Sequence, residues 1–157
     1  MTDTTDDNPY AWRNGTALWA ELPIDRDVAA ALLPPGYRPT DPATAIVFVA
    51  DYPVTNFGAQ YHEGALLVRG TDDRGPFVHC PWMVVDNDVA LFMGRELMGF
   101  PKVLGEISLK VTDGACSARV VRNGHELLRL DGVVATPDHA PPSFVNQRFV
   151  NVVGSTL

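Results

Sequence analysis

Lysine is nearly missing from this chain. Ten arginines but only two lysines stand among its 157 residues, and 19 acidic residues leave a formal net charge of -7. The arginines are spread along the chain and no basic patch stands out. Nucleic-acid binding, which needs clustered positive charge against phosphate, is not expected. Cysteine is scarce as well. Cys80 lies in "FVHCPW" and Cys116 in "GACSARV", with no CxxC motif. Both contexts are strand-like, so two reduced, buried thiols are expected rather than a disulfide or a metal site. The four histidines, His62, His79, His125 and His139, have no ligand spacing among themselves or with cysteine, and no metal is expected. GxGxxG, Walker A and GxSxG motifs are absent, and no cofactor is expected. No apolar run reaches membrane-spanning length. The start, "MTDTTDDNP", lacks the basic residues and apolar stretch of a signal peptide. Residues 1–9 are read as a disordered tail, and the protein as soluble and cytoplasmic, with no membrane partner.

What is there reads as strands. Residues 15–23, "GTALWAELP", alternate in polarity. "DRDVAAALLPPGY" predicts a short helix, capped by Asp25 and stopped by Pro34-Pro35. Residues 43–53, "ATAIVFVADYP", form a β-branched and aromatic run that fits a buried strand. Residues 59–70 and 75–85 predict a strand pair joined by a turn in "TDDRG". The period then changes. Val89, Leu91, Phe92, Leu97 and Met98 fall near helical spacing after an Asp-Asn-Asp cluster, which predicts a helix ending at Gly99 and Pro101. "KVLGEISLKV" returns to strand. Asn123-Gly124 is a strong type I′ signal for a hairpin. After the proline-containing "TPDHAPPS", residues 144–154 predict one more strand. The expected fold is mainly β, a β-rich α+β arrangement of antiparallel strands with two short helices.

One lysine stands out in this pattern. Lys102 follows Phe100-Pro101 and precedes Val103-Leu104, although lysine is seldom fully buried unless paired. Local context alone favours a stem packed on apolar groups with its ammonium in water. The alternative is chemical. A lysine amine attacks a carbonyl only when unprotonated, and burial in apolar surroundings favours that form. A helix, Gly-Phe-Pro and then a strand would fix the direction of such a Schiff-base nucleophile. Lys110, in "SLKVTD", fits a solvent-facing strand position and is given no role.

"GREL" followed by "GFPK" (94–97 and 99–102) resembles the active-site signature of the acetoacetate decarboxylase superfamily. "PYAW", "LLPPGYRP", "QYHEGALLV", the Asn123-Gly124 hairpin and "FVNQRFVNVVG" have counterparts in the same order, so the resemblance covers roughly residues 9 to 154. It implies a cone- or barrel-like antiparallel sheet in a single domain over 10–157. It also implies a homo-oligomer and a lysine, here Lys102, that forms an imine with a small keto acid. Glu63, in "YHEG", matches a family active-site glutamate that would orient the amine or move a proton. Phe100, Tyr61 and Arg13 are the candidates for substrate contact. Arg95 and Glu96 are read as structural.

The chain departs from the family at several points. The position after the nucleophile, a second lysine in the decarboxylases, is Val103. A second active-site glutamate aligns with Val49, with Asp51 two residues on as a candidate replacement. The family's arginine near the first strand aligns with Gly15, close to Arg13. The family's chains are longer and continue with strands that close the sheet, so this domain is expected to be short at its C-terminal end. The implied reaction is decarboxylation of a small β-keto acid such as acetoacetate. A pyruvate-type aldolase–dehydratase, or a catalytically silent small-ligand-binding relative, is the alternative.

Overall fold

The computed structural model describes residues 12–112, 114–133 and 144–152. The predicted N-terminal tail, the proline loop and His139 lie outside them. Among the described residues eleven strands run in chain order: β1 (Trp12–Arg13), β2 (Thr16–Pro23), β3 (Arg38–Pro39), β4 (Thr44–Tyr52), β5 (Val54–Thr55), β6 (Tyr61–Asp72), β7 (Gly75–Val85), β8 (Lys102–Leu104), β9 (Glu106–Thr112), β10 (Ala115–Arg122) and β11 (His125–Val133). Helix α1 spans Arg26–Leu32 and α2 spans Asp88–Phe92. The largest sheet has the order β2-β4-β6-β7-β8, with β3 also on β6. A three-stranded sheet, β11-β10-β9, packs on it, and β1 pairs with β5. The fold is the β-rich one expected, with two short helices. Its pairs are antiparallel except β7–β8, and the sheets do not close into a barrel among the described residues.

Local chemistry accounts for most of these elements. Asp25 caps α1, its Oδ1 accepting from the backbone N–H of Asp27 at 2.8 Å and of Val28 at 3.1 Å. Asn123 and Gly124 both take positive φ, 52° and 77°, as a type I′ hairpin turn requires. Strand β4 is apolar on both faces because both are covered. Ile46, Phe48 and Ala50 enter one core cluster. Val49 enters another, with Val84, Ala118 and Val120, in the seam between the two sheets. Alternation along β4 therefore sorts its side chains into two compartments. That sorting decides which residues can reach the functional site.

Two predicted elements take a different form. After α2 the chain widens into a π turn over Met93–Leu97. The Phe100 N–H donates to the Gly94 carbonyl at 2.9 Å and the Gly99 N–H to the Arg95 carbonyl at 3.2 Å. The predicted apolar positions do not form one buried stripe on either side of this turn. Ala90 is buried, while Phe92 and Leu97 stand 58% and 57% exposed. The strand predicted over 144–154 is not formed in its described part. Phe144 begins a turn, closed by the Gln147 N–H on the Phe144 carbonyl. Only Phe149 bridges to the sheet, parallel to Val78. Around it the Val78 N–H donates to the Arg148 carbonyl at 2.8 Å and the Val150 N–H to the Val78 carbonyl at 2.9 Å. Arg148 fixes this strap through a 2.6 Å ion pair with Asp72. The aromatic residues that made 144–154 look like a strand pack into the cavity described next.

Candidate active site

Lys102 is the first residue of β8, where the chain re-enters the sheet. Pro101 has no N–H to donate, and the Lys102 N–H closes a tight turn on the Phe100 carbonyl at 2.8 Å. Arg95 holds the same residue from the other side, its Nη1 donating to the Lys102 carbonyl at 3.0 Å. This is the structural role expected for Arg95, achieved through a backbone carbonyl. Strand register then fixes the side chain. Lys102 pairs with Met83 and Val103 with Val84, so Lys102 faces the cavity and Val103 packs into the seam between the sheets.

Glu63, on β6, points to the same side as Lys102 across β7. Its Oε2 lies 2.7 Å from Lys102 Nζ. The two residues are only 7% and 5% exposed. Burying one such charge alone is costly, and removing one partner of a buried pair typically costs about 3–5 kcal/mol. Nζ also sits 5.2 Å from the centroid of the Tyr61 ring, within cation–π range. The Tyr61 hydroxyl accepts from Trp12 Nε1 at 2.8 Å. Burial, reinforced by the charge of Glu63, pushes the phenols of Tyr61 and Tyr52 well above their usual range. Both therefore stay neutral hydroxyls beside the ion pair. Burial, with Glu63 again adding to it, also pushes the Cys80 thiol up, which leaves it a poor nucleophile.

Gly94 lets the lysine reach this position. A Cβ there would overlap Lys102 Cε and Cδ and stand 2.9 Å from Nζ. Gly94→Ala must displace the amine from Glu63. Overpacking of this kind costs about 1–3 kcal/mol, and a misplacement near 1 Å costs roughly 10²-fold in turnover. A variant that folds and turns over at the wild-type rate in a steady-state assay would show that the lysine's path does not matter.

The pair opens on a cavity of about 490 Å³. Of the predicted site residues, Lys102, Glu63, Phe100 and Tyr61 all line it. Arg13 does not. On the two-residue strand β1 it is Trp12 that lines the cavity, and Arg13 is exposed on the alternate side. Gly15 has no side chain to substitute for it, and a Cβ there would stand 3.2 Å from the Tyr52 ring. Val49 and Asp51 are also displaced from the expected site. Both lie on the face of β4 opposite the cavity, and Asp51 Oδ1 sits 3.7 Å from His62 Nε2. His62 in turn contacts Asp86 at 2.7 Å. The residues of that stretch that line the cavity are Phe48, an apolar ring, and Tyr52, a neutral phenol. The sequence reading also missed Trp12, Tyr52, Met83, Phe144 and Phe149. Period-two alternation counted inward from Glu63's β4 partner, Ala50, would have found Phe48 and Tyr52. Phe144 and Phe149 carry no comparable signal, because their segment is not a strand.

A smaller hollow of about 270 Å³ lies behind Pro101, between the end of α1 and His79. No amine or carboxylate lines it. Among the described residues no three His, Cys, Asp or Glu side chains are grouped to hold a metal ion. Nor is any helix among them long and apolar enough to cross a membrane.

Comparison with known proteins gives the chain's family. The acetoacetate decarboxylase (ADC) family model matches residues 2–153. Acetoacetate decarboxylase 1 of Mesorhizobium japonicum is 31% identical over 104 residues, covering 65% of this chain and 41% of the relative. Acetoacetate decarboxylase 1 of Bradyrhizobium diazoefficiens is 23% identical over 157 residues, covering 94% and 62%. The chain thus spans less than two thirds of the length of these curated relatives. Among solved structures, acetoacetate decarboxylase from Legionella pneumophila superposes with a TM-score of 0.69 at 21% identity, covering 75% of this chain and 47% of that one. The enduracididine biosynthesis enzyme MppR complexed with pyruvate superposes with a TM-score of 0.76 at 21% identity, covering 91% and 64%. These structural likenesses establish the shared fold. The family match over nearly the whole sequence shows that the chain belongs to the acetoacetate decarboxylase family.

Proposed function

We propose that this protein is a Schiff-base-forming lyase that decarboxylates a small β-keto acid, acetoacetate being the simplest, through an imine on Lys102. The observation that carries the reading is the buried 2.7 Å contact between Lys102 Nζ and Glu63 Oε2 at the wall of a ligand-sized cavity. Glu63 is the acceptor within reach of the Nζ proton. Once that proton has moved, the free amine adds to the substrate ketone, and the carbinolamine loses water to give an iminium ion. The electron pair of the bond to the carboxylate then flows to the iminium nitrogen, and carbon dioxide leaves. The enamine takes a proton at carbon, and water hydrolyses the imine to release the ketone and restore the amine.

The charge inventory of the cavity favours decarboxylation over aldol chemistry. Lys102 is the only lysine or arginine lining it among the described residues. An aldolase–dehydratase keeps the carboxylate of its pyruvate-like substrate through the reaction, and a second cation would serve to hold it. A carboxylate surrounded by apolar walls and neutral hydroxyls is instead poorly solvated, and losing it as carbon dioxide relieves that cost.

The test is reductive trapping. The protein is incubated with acetoacetate, and separately with pyruvate, then treated with borohydride and digested for peptide mass spectrometry. An adduct on the peptide holding Lys102, with carbon dioxide release from acetoacetate, is the expected result. An adduct with pyruvate only would move the protein to the aldolase–dehydratase branch. A folded protein that gives no adduct with either would count against both small-keto-acid readings and favour a silent relative, with larger keto acids as the next ligands to trap.

A further inference from the structure

The cavity is generous for acetoacetate. About 490 Å³ lies within the range of roughly 300–1,000 Å³ that holds drug-sized ligands, and acetoacetate is the smallest of the β-keto acids. The polar groups are not spread around this volume. On the sheet face, Tyr52 pairs with Tyr61 and Ala50 with Glu63 in adjoining registers of β4 and β6. The next cavity-facing row runs Phe48, Ala65, Met83, Lys102 across four strands. Lys102 and Phe48 therefore stand at opposite ends of one row, with the small Ala65 and the unbranched Met83 between them. Beyond Phe48 the walls are apolar. Leu67 follows on β6, and Phe144 stacks on Phe48 with centroids 5.1 Å apart. Phe149 closes on Phe100 edge to face at 5.4 Å.

From this division we infer that the physiological substrate is a β-keto acid whose ketone carries a bulky apolar group, aryl or branched or extended alkyl. The inference rests on the lyase reading above. A substrate imine on Nζ directs one substituent of the former ketone carbon toward Glu63 and the tyrosines. The other must run along the Met83–Ala65–Phe48 row. A methyl group leaves that row unfilled, whereas a phenyl or propyl group removes apolar surface from water on both sides. Each buried methylene strengthens binding about fourfold. An aryl ring adds contact with Phe48 and Phe144 in the offset or edge-to-face geometries that rings favour.

The experiment compares kcat/KM for carbon dioxide release from acetoacetate, 3-oxohexanoate and 3-oxo-3-phenylpropanoate, with borohydride trapping in parallel. The expected result is a rise of at least about tenfold from acetoacetate to either larger acid, consistent with roughly fourfold per methylene. Phe48→Ala, at the far end of the row from Lys102, should flatten that preference, lowering kcat/KM for the two larger acids several-fold more than for acetoacetate; an undiminished preference in a folded variant would overturn the inference. Equal or better use of acetoacetate by the wild type would overturn the inference and leave the lyase reading standing. Trapping and carbon dioxide absent with all three acids would remove the lyase reading, and this inference with it.

Discussion

Lys102→Arg should abolish imine formation and lower turnover by on the order of 10⁴-fold or more, the scale on which a lost nucleophile is felt. Guanidinium stays protonated in proteins and has no free pair to offer a ketone. Arginine is the informative replacement because it isolates the chemistry from the fold. It keeps a positive charge opposite Glu63, whose side chain lies at 2.7 Å in the wild type. Lys102→Met would leave that carboxylate buried alone, at about 3–5 kcal/mol, and lost activity could then reflect unfolding. The arginine variant should retain its circular dichroism spectrum and melt cooperatively while giving no borohydride adduct. Wild-type activity in this variant would rule out the Schiff-base mechanism.

Glu63→Gln should slow turnover by about 10² to 10⁴-fold, the usual contribution of a positioned acid–base group, while leaving the lysine accessible to a keto acid. The amide oxygen can still accept from Nζ, so the side chain holds its place. What is lost, in the proposed mechanism, is the carboxylate that receives the proton before attack and returns it when water leaves the carbinolamine. The two roles separate in a single-turnover experiment. Trapped imine should accumulate slowly but reach the wild-type amplitude, and steady-state release of carbon dioxide should fall with it. An unchanged rate would mean that Glu63 only orients Lys102.

The motif residues were legible because each is tied to a local rule. Asp25 caps α1 and Asn123-Gly124 turns the β10–β11 hairpin as their chemistry requires. Lys102 was conspicuous because a scarce cation sat in an apolar run. The errors were of a different kind. Asp51 and Arg13 were placed near the site by proximity in sequence, yet strand alternation sends both to the far side. The run over β4 concealed its two faces because it is apolar on both, so Phe48 and Val49 read alike. Phe144 and Phe149 depend on a strap held by Arg148 and Asp72, residues 76 apart in sequence, and no short-range pattern encodes such a contact. The π turn was also hidden. Its residues "MGREL" look like a continuing helix, and nothing in their types marks the wider turn they form.

The parallel pairing of β8 with β7 gives the amine something like a reading frame. Lys102 faces Glu63 only because the crossover from Val85 delivers an even-handed phase to the first residue of β8. A single-residue loss that the crossover did not absorb would present Val103 to the cavity and drive the ammonium into the seam beside Val49, Val84 and Val120. No residue of the site would have been altered, yet the reactive group would be shut inside a hydrocarbon interior facing the wrong way. Among relatives of this chain, therefore, insertions and deletions between β7 and β8 deserve the scrutiny usually kept for substitutions at the lysine itself.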